Sequence, residues 1–332
     1  MTSPLPMTAE RVPPSTQLAA DADPVRRFEG RALASPLRLQ VHGATHEAAD
    51  AAWDAVCDEF AAVDGGLSRH RDDSELTAIN RLAGSGQALV VGRRLYTAIA
   101  ATDRARRVTD GRFDARVLED LERLGDHGAS LGSVAARPTD MTLRRVPSAR
   151  LVALDRPHDL GGIGKGLALR WAAGRAAHAL DPHVGFLLEA GGDVVVHGQP
   201  CNEPAWSIAI EDPSLGGPPM AVIAADGGAV CTSSVARRTW QADGGRTVHH
   251  LIDPRTGDPG GDGLRAVTVA GADPAWAEVW SKALFLEGRR SIADVARARG
   301  LAAWWVEADG QLSMTPAARI RTIWTREADD PV

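Results

Sequence analysis

The run DLGGIGKG, Asp159 to Gly166, packs four glycines into six residues immediately before a helical pattern. Glycines pack nothing themselves; they let backbone N–H groups approach another group closely and tolerate φ > 0. In the segment that follows, LALRWAAGRAAHAL, Leu169, Ala173, Ala176 and Leu180 fall on one helical face. A glycine-rich turn at a helix N-terminus presents unpaired N–H groups and a partial positive charge, which suits a phosphate. Lys165 adds a full charge at the same place. Two standard phosphate motifs do not match. A P-loop needs Gly and then Ser or Thr where Asp159 and Gly166 stand, and Gly162, Gly164 and Gly166 are spaced G-x-G-x-G rather than G-x-G-x-x-G. From its residues alone the stretch is either a phosphate cradle or a tight strand-to-helix turn.

HLIDPRTG brings a second set of chemical groups together, with His250, Asp253 and Arg255 ahead of a Pro/Gly turn. An imidazole with an ordinary pKa of about 6.5 suits a general base near neutrality. Asp253 before Pro254 is equally a turn initiator that bonds its own backbone. EAGGD, Glu189 to Asp193, sits between two apolar runs, and Asp193 is placed to accept from a ligand or from a turn.

These groups need a scaffold. Trp53, Val56, Phe60 and Val63 recur at helical spacing over 46–63, and 94–109 also reads as a helix that ends at Asp110-Gly111. Ser74 is a fitting N-cap for a short helix in SELTAIN. Strands are expected at 37–41, 186–188, 194–196, 206–210, 220–224, 266–270 and 302–306, with helices at 276–286 and 291–299. Residues 133–150 show no apolar period and read as a connection or a weak hairpin. Helices and strands in mixed order, without regular βαβ alternation, predict an α+β fold: a mixed, largely antiparallel sheet with packed helices. One domain over 27–315 is expected, between a Pro/Ser/Thr-rich disordered tail at 1–26 and a C-terminal tail at 316–332.

The whole chain has 332 residues and a net charge of −6, which argues against non-specific nucleic-acid binding. Three cysteines without metal-ligand spacing fit a reducing compartment. With no signal-peptide pattern at the start and no apolar run of membrane-spanning length, a cytoplasmic protein is expected.

Taken in order, eight stretches resemble the FAD:protein FMN transferase family, the ApbE-like flavin transferases: SELTAIN (74–80), GRFD (111–114), DLGGIGKG, EAGGD, IEDP (210–213), TSS (232–234), HHLIDPRTGDP (249–259) and AVTV (266–269). The resemblance implies that FMN passes from FAD to a Thr or Ser hydroxyl of a partner flavoprotein while AMP leaves. It implies that Arg112, Phe113, Asp114, Asp159 and Lys165 line the FAD site. By the same pattern His250 is the base, and Ile252 and Asp253 hold the flavin end or its loop. Where the family has Met-Gly-Thr this chain has Leu33-Ala34-Ser35, where it has an aromatic stands His70, and Arg170 replaces an Asp. The family's Mg²⁺ site uses an Asp, a Thr four residues later and a carbonyl of the glycine-rich turn. Those positions fall on Glu278, Lys282 and Gly162. Glu278 and Lys282 at i, i+4 read either as a helix-surface pair, with Lys282 in solvent and Mg²⁺ still bound through Glu278 and a carbonyl near Gly162, or as an ammonium replacing the ion. Two further readings accompany the transferase: a relative that binds FAD without transferring FMN, and a hydrolase that splits FAD with water.

Overall fold

The computed structural model describes residues 25–131, 144–214, 216–242 and 244–326. An eight-stranded, wholly antiparallel sheet organises it. Strands Val25–Ala32, Ser35–His42, Gly185–Ala190, Asp193–His197, Gly228–Ser234, Leu264–Gly271, Ala302–Glu307 and Leu312–Met314 lie side by side in that order. The α+β expectation holds. Side chains alternate across the sheet, so each strand serves two cores. Val195, Ala229 and Cys231 face helices, whereas Val194, Val196 and Val230 face a three-stranded sheet built from Trp206–Ile210, Ala221–Ala225 and Thr322–Thr325.

On the helical side, His46–Leu67 starts at Thr45, whose side chain accepts from Ala48 N–H. Ala49, Ala52, Val56, Phe60 and Val63 form its buried stripe, the 3–4 spacing of an amphipathic helix. Phe60 is 1% exposed, and burying a side chain of that size stabilises the fold by about 1.5–3 kcal/mol. Arg93–Val108, Gly164–Ala179 and Pro274–Ala298 complete that layer. The last of these is interrupted at Gly288, whose φ of 71° breaks the helix between the two segments expected from sequence. Ser74 caps Glu75–Arg81 as expected, accepting from Thr77 N–H at 3.0 Å.

Three boundaries differ from the sequence reading. Residues 1–24 of the expected N-terminal tail lie outside the described residues, but Val25 and Arg26 open an edge strand that pairs with Ser35–His42. After residue 315, where a tail is expected, Pro316–Arg319 is helical and Thr322–Thr325 pairs with Ala221–Ala225. That segment buries Ala318, and Thr322 Oγ1 accepts from Trp304 Nε1 at 3.0 Å, so it covers the second face of the sheet. Much of 133–150 lies outside the described residues; Arg144–Val146 forms a hairpin with Leu151–Ala153.

No described helix is long and apolar enough to cross a membrane. Cys57, Cys201 and Cys231 form no disulfide.

Candidate active site

The glycine-rich run folds so that the helix begins inside it, at Gly164. Ile163 at the N-cap supplies no side-chain acceptor, and the neighbouring helix Pro274–Ala298 fills that role. Gly166 N–H donates to Glu278 Oε2 at 2.8 Å. The approach depends on glycine: a Cβ at Gly166 would stand 2.6 Å from Ala275 Cα. Gly161 N–H donates to Asp159 Oδ1 at 2.8 Å, while Ile163 and Gly164 N–H donate to Leu160 O. Four N–H groups that looked available to a phosphate are therefore satisfied within the chain.

Lys165 is likewise engaged. Its ammonium pairs with Asp193 Oδ2 and lies 3.2 Å from Glu278 Oε1, both carboxylates being 1% exposed. Burial alone would lower the Lys165 pKa; Asp193 and then Glu278 outweigh it and hold the group well above its ordinary value. Asp193, expected to accept from a ligand or a turn, instead holds Lys165 and also accepts Thr232 N–H at 2.9 Å.

Glu278 is the centre of the cluster. Its Oε1 is 3.1 Å from Lys282 Nζ as well as near Lys165. Burial pushes its pKa up, but Lys165, Lys282 and the Gly166 N–H prevail and keep it ionised below the usual carboxylate range. Lys282 does not extend into solvent: its side chain is 14% exposed. Its stem crosses the glycine-rich turn, with Cδ 3.4 Å and Phe113 Cε2 2.8 Å from where a Cβ on Gly162 would sit.

This donor set does not fit Mg²⁺. The ion wants six oxygens at about 2.0–2.1 Å. Here both Glu278 oxygens already accept, from two ammoniums and an N–H, and the position of a neutral ligand holds a cation. Among the described residues no group of three or more His, Cys, Asp or Glu is arranged to hold a metal.

His250 stands at the end of the hairpin Thr239–Gln241/Thr247–His249. Its Nδ1 is 3.4 Å from Arg238 O; with the proton assigned there, Nε2 keeps its lone pair. Burial first, then the charges of Arg238 and Lys282, push the His250 pKa down to about 3, so the ring is neutral at physiological pH.

The LIDP loop takes the turn reading. Asp253 accepts from Arg255 N–H at 3.0 Å and Arg255 Nη2 at 2.8 Å, and its carbonyl closes the turn with Gly257 N–H. Ile252 is buried among Leu121, Leu124 and Val248. Arg112 ties this loop to the helix break, donating to Leu286 O at 2.8 Å and to Glu287 Oε2 at 2.7 Å, with Asp253 Oδ2 at 3.3 Å. The contacts of Arg112, Ile252 and Asp253 described here are thus made inside the chain. Asp114 is capped by Arg116 and Arg106, and Asp159 N–H donates to Ala115 O, joining GRFD to the glycine-rich run.

Leu33 belongs to the turn whose Ser35 packs against Gly191, with Oγ 2.8 Å from where a Cβ on Gly191 would sit, and His70 directly follows Arg69. Leu33 lines a cleft of about 390 Å³ with Arg31, Cys57 and Phe60, in a two-residue hairpin turn where Leu33 and Ala34 take φ of 49° and 58°. His70 is exposed beside the buried Arg69. Ion pairs link Asp159 to Arg69, Arg69 to Asp126 and Asp126 to Arg238, connecting the glycine-rich turn to the hairpin at whose end His250 stands. Sequence reasoning missed Arg69, Asp126, Arg238 and Glu287, and no local pattern marks them. For Asp193, the Gly-Gly pair before it was the available signal.

The ApbE family model matches residues 34–305. The chain is 25% identical over 316 residues to the FAD:protein FMN transferase of Salmonella typhimurium, covering 90% of this chain and 88% of that protein. It is 29% identical over 248 residues to the FAD:protein FMN transferase of Treponema pallidum, covering 67% of each. The crystal structure of the ApbE protein from Thermotoga maritima superimposes with a TM-score of 0.79 at 25% identity, covering 91% of this chain and 100% of that one. With the match spanning the helix starts, the Glu278 cluster and the His250 loop, this chain belongs to the ApbE family of flavin transferases.

Proposed function

We propose that this protein is an FAD:protein FMN transferase. It binds FAD as substrate, joins FMN to a Thr or Ser hydroxyl of a partner flavoprotein, and releases AMP. The observation that carries this reading is a neutral imidazole, His250, held through Nδ1 with Nε2 available, whose pKa the charges of Arg238 and Lys282 help to lower. The acceptor oxygen attacks the FMN phosphorus, its proton passes to His250 Nε2, and the bond from that phosphorus to the oxygen bridging to AMP breaks. AMP keeps that oxygen. Chemistry of this type runs on positioning and on neutralising phosphate charge. A bound diphosphate would offset Lys282 and Arg238 and so raise the basicity of His250 when it is needed. The surface formed by Phe113, Gly162 and Lys282 is the proposed seat of the diphosphate, with Asp114, Asp159 and Lys165 holding that surface in shape.

The test is to incubate the protein with FAD and a flavoprotein domain carrying a Thr acceptor, then weigh the acceptor by mass spectrometry and quantify AMP. The acceptor should gain FMN with one AMP released per transfer. Free FMN and AMP with an unmodified acceptor would identify an FAD hydrolase. Bound, unconsumed FAD would identify a relative that holds flavin without transferring it.

A further inference from the structure

Four charges, two of them on buried carboxylates, meet where the helices Gly164–Ala179 and Pro274–Ala298 come together, and they are not equivalent. Lys165 is shared by two carboxylates, Asp193 and Glu278. Among the described residues, Lys282 has Glu278 as its one ion-pair partner, and Glu278 is already divided between two ammoniums. The four charges sum to zero, but Lys282, which shares one carboxylate with Lys165, is the less closely compensated of the two ammoniums. An ammonium has three N–H donors, and one directed at Glu278 leaves two for other oxygens. The side chain lies along Gly162 and Phe113, on the surface assigned above to the diphosphate.

A divalent ion bound to Glu278 Oε1 would stand against two ammoniums, each about 3 Å from that same oxygen. Like-charge repulsion removes the benefit of the site, and the chain carries its own cation in its place. We propose that the ammonium of Lys282, fixed by Glu278 over the Gly162 turn, takes the place of a divalent cation, so that this protein binds the FAD diphosphate without metal. The inference rests on the reading of the protein as an FAD-binding transferase. Lys165 and Asp193 act as positioning residues: they neutralise the rest of the cluster and keep Glu278 ionised and aimed.

The test is FAD titration by calorimetry in Mg²⁺ and in EDTA. The unmodified protein should bind FAD with an affinity ratio below about three between the two conditions, that is, with almost no coupling to the ion. Lys282→Met should lose about ten-fold or more in FAD affinity, the scale of one charge-assisted bond, and Lys282→Arg should keep most of it. Circular dichroism confirms that each variant is folded. The paired change Glu278→Asp with Lys282→Thr should bind Mg²⁺ in a titration without FAD, whereas the unmodified protein should show no heat. If EDTA weakens FAD binding to the unmodified protein by ten-fold or more, or if Lys282→Met binds FAD normally, the inference is overturned while FAD binding stands. Absence of FAD binding under both conditions would overturn the transferase reading and the inference together.

Discussion

Lys165→Met should act mainly on stability. The wild-type ammonium sits between Asp193 and Glu278, each 1% exposed, and its removal leaves Asp193 with only the Thr232 N–H among the contacts described above. Breaking a buried ion pair from one side costs about 3–5 kcal/mol, because the partner keeps an uncompensated charge. The Lys165 side chain retains 26% of its exposure, so water reaches its stem and the lower end, about 3 kcal/mol, applies. At roughly 2 °C per kcal/mol for a large domain, the midpoint of thermal unfolding should fall by about 6 °C. The assay is paired thermal and urea denaturation of Lys165→Met, Asp193→Asn and the double variant. The double variant should lose at least about 1 kcal/mol less than the sum of the singles, since the second change removes the orphaned charge. A midpoint within about 1 °C of wild type, or strictly additive losses, would show that the pair does not stabilise the fold and would return Lys165 to the ligand.

His250→Ala should reduce FMN transfer by about 10²-fold or more while FAD affinity stays within a few-fold, the pattern of a lost base, as read by calorimetry beside single-turnover transfer. In the unmodified enzyme the acid limb of kcat/KM should lie well below the ordinary histidine value of about 6.5, because the free enzyme's imidazole is already neutral there. Thermal stability should decline as pH falls below about 6.5. His158 and His250 have folded pKa values pushed below those of the unfolded chain, so their contribution is full above that pH and is lost as the unfolded state takes up protons first. Melts at pH 7.5 and 5.5 check this, and an equal or higher midpoint at pH 5.5 contradicts it. Ala34→Gly should raise stability by about 0.5–1 kcal/mol in urea denaturation. Left-handed backbone costs a residue with Cβ about 1–2 kcal/mol, partly offset by the greater freedom of glycine in the unfolded chain.

Much of the scaffold was readable locally. The helix His46–Leu67 announces itself by its 3–4 apolar spacing, Ser74 by its capping position, and five of the eight sheet strands by short apolar runs, whereas Val25–Ala32, Gly228–Ser234 and Leu312–Met314 were not expected. Hydrophobic period and cap chemistry act over a few residues, so neighbours in sequence suffice to read them. The C-terminal strand Thr322–Thr325 was not readable, because its partner, Ala221–Ala225, lies about a hundred residues earlier and its own outer face stays exposed.

The site divides along the same line. Residue types and order alone identified the family resemblance, the stretches that meet, and His250, Glu278 and Lys282 as the groups to watch. Which charge answers which was decided in three dimensions. Lys165 looked like the phosphate's cation because it stands among four glycines, yet Asp193 and Glu278 come from a strand and a helix far away in the chain and capture it. Lys282 read either as half of a surface pair or as a stand-in for the ion; the fold turns it back over Gly162, where it shares Glu278 with Lys165. A side chain's type sets what charge it carries. Its partners, which burial brings together from distant segments, set whether that charge is spent inside the protein or offered to a ligand.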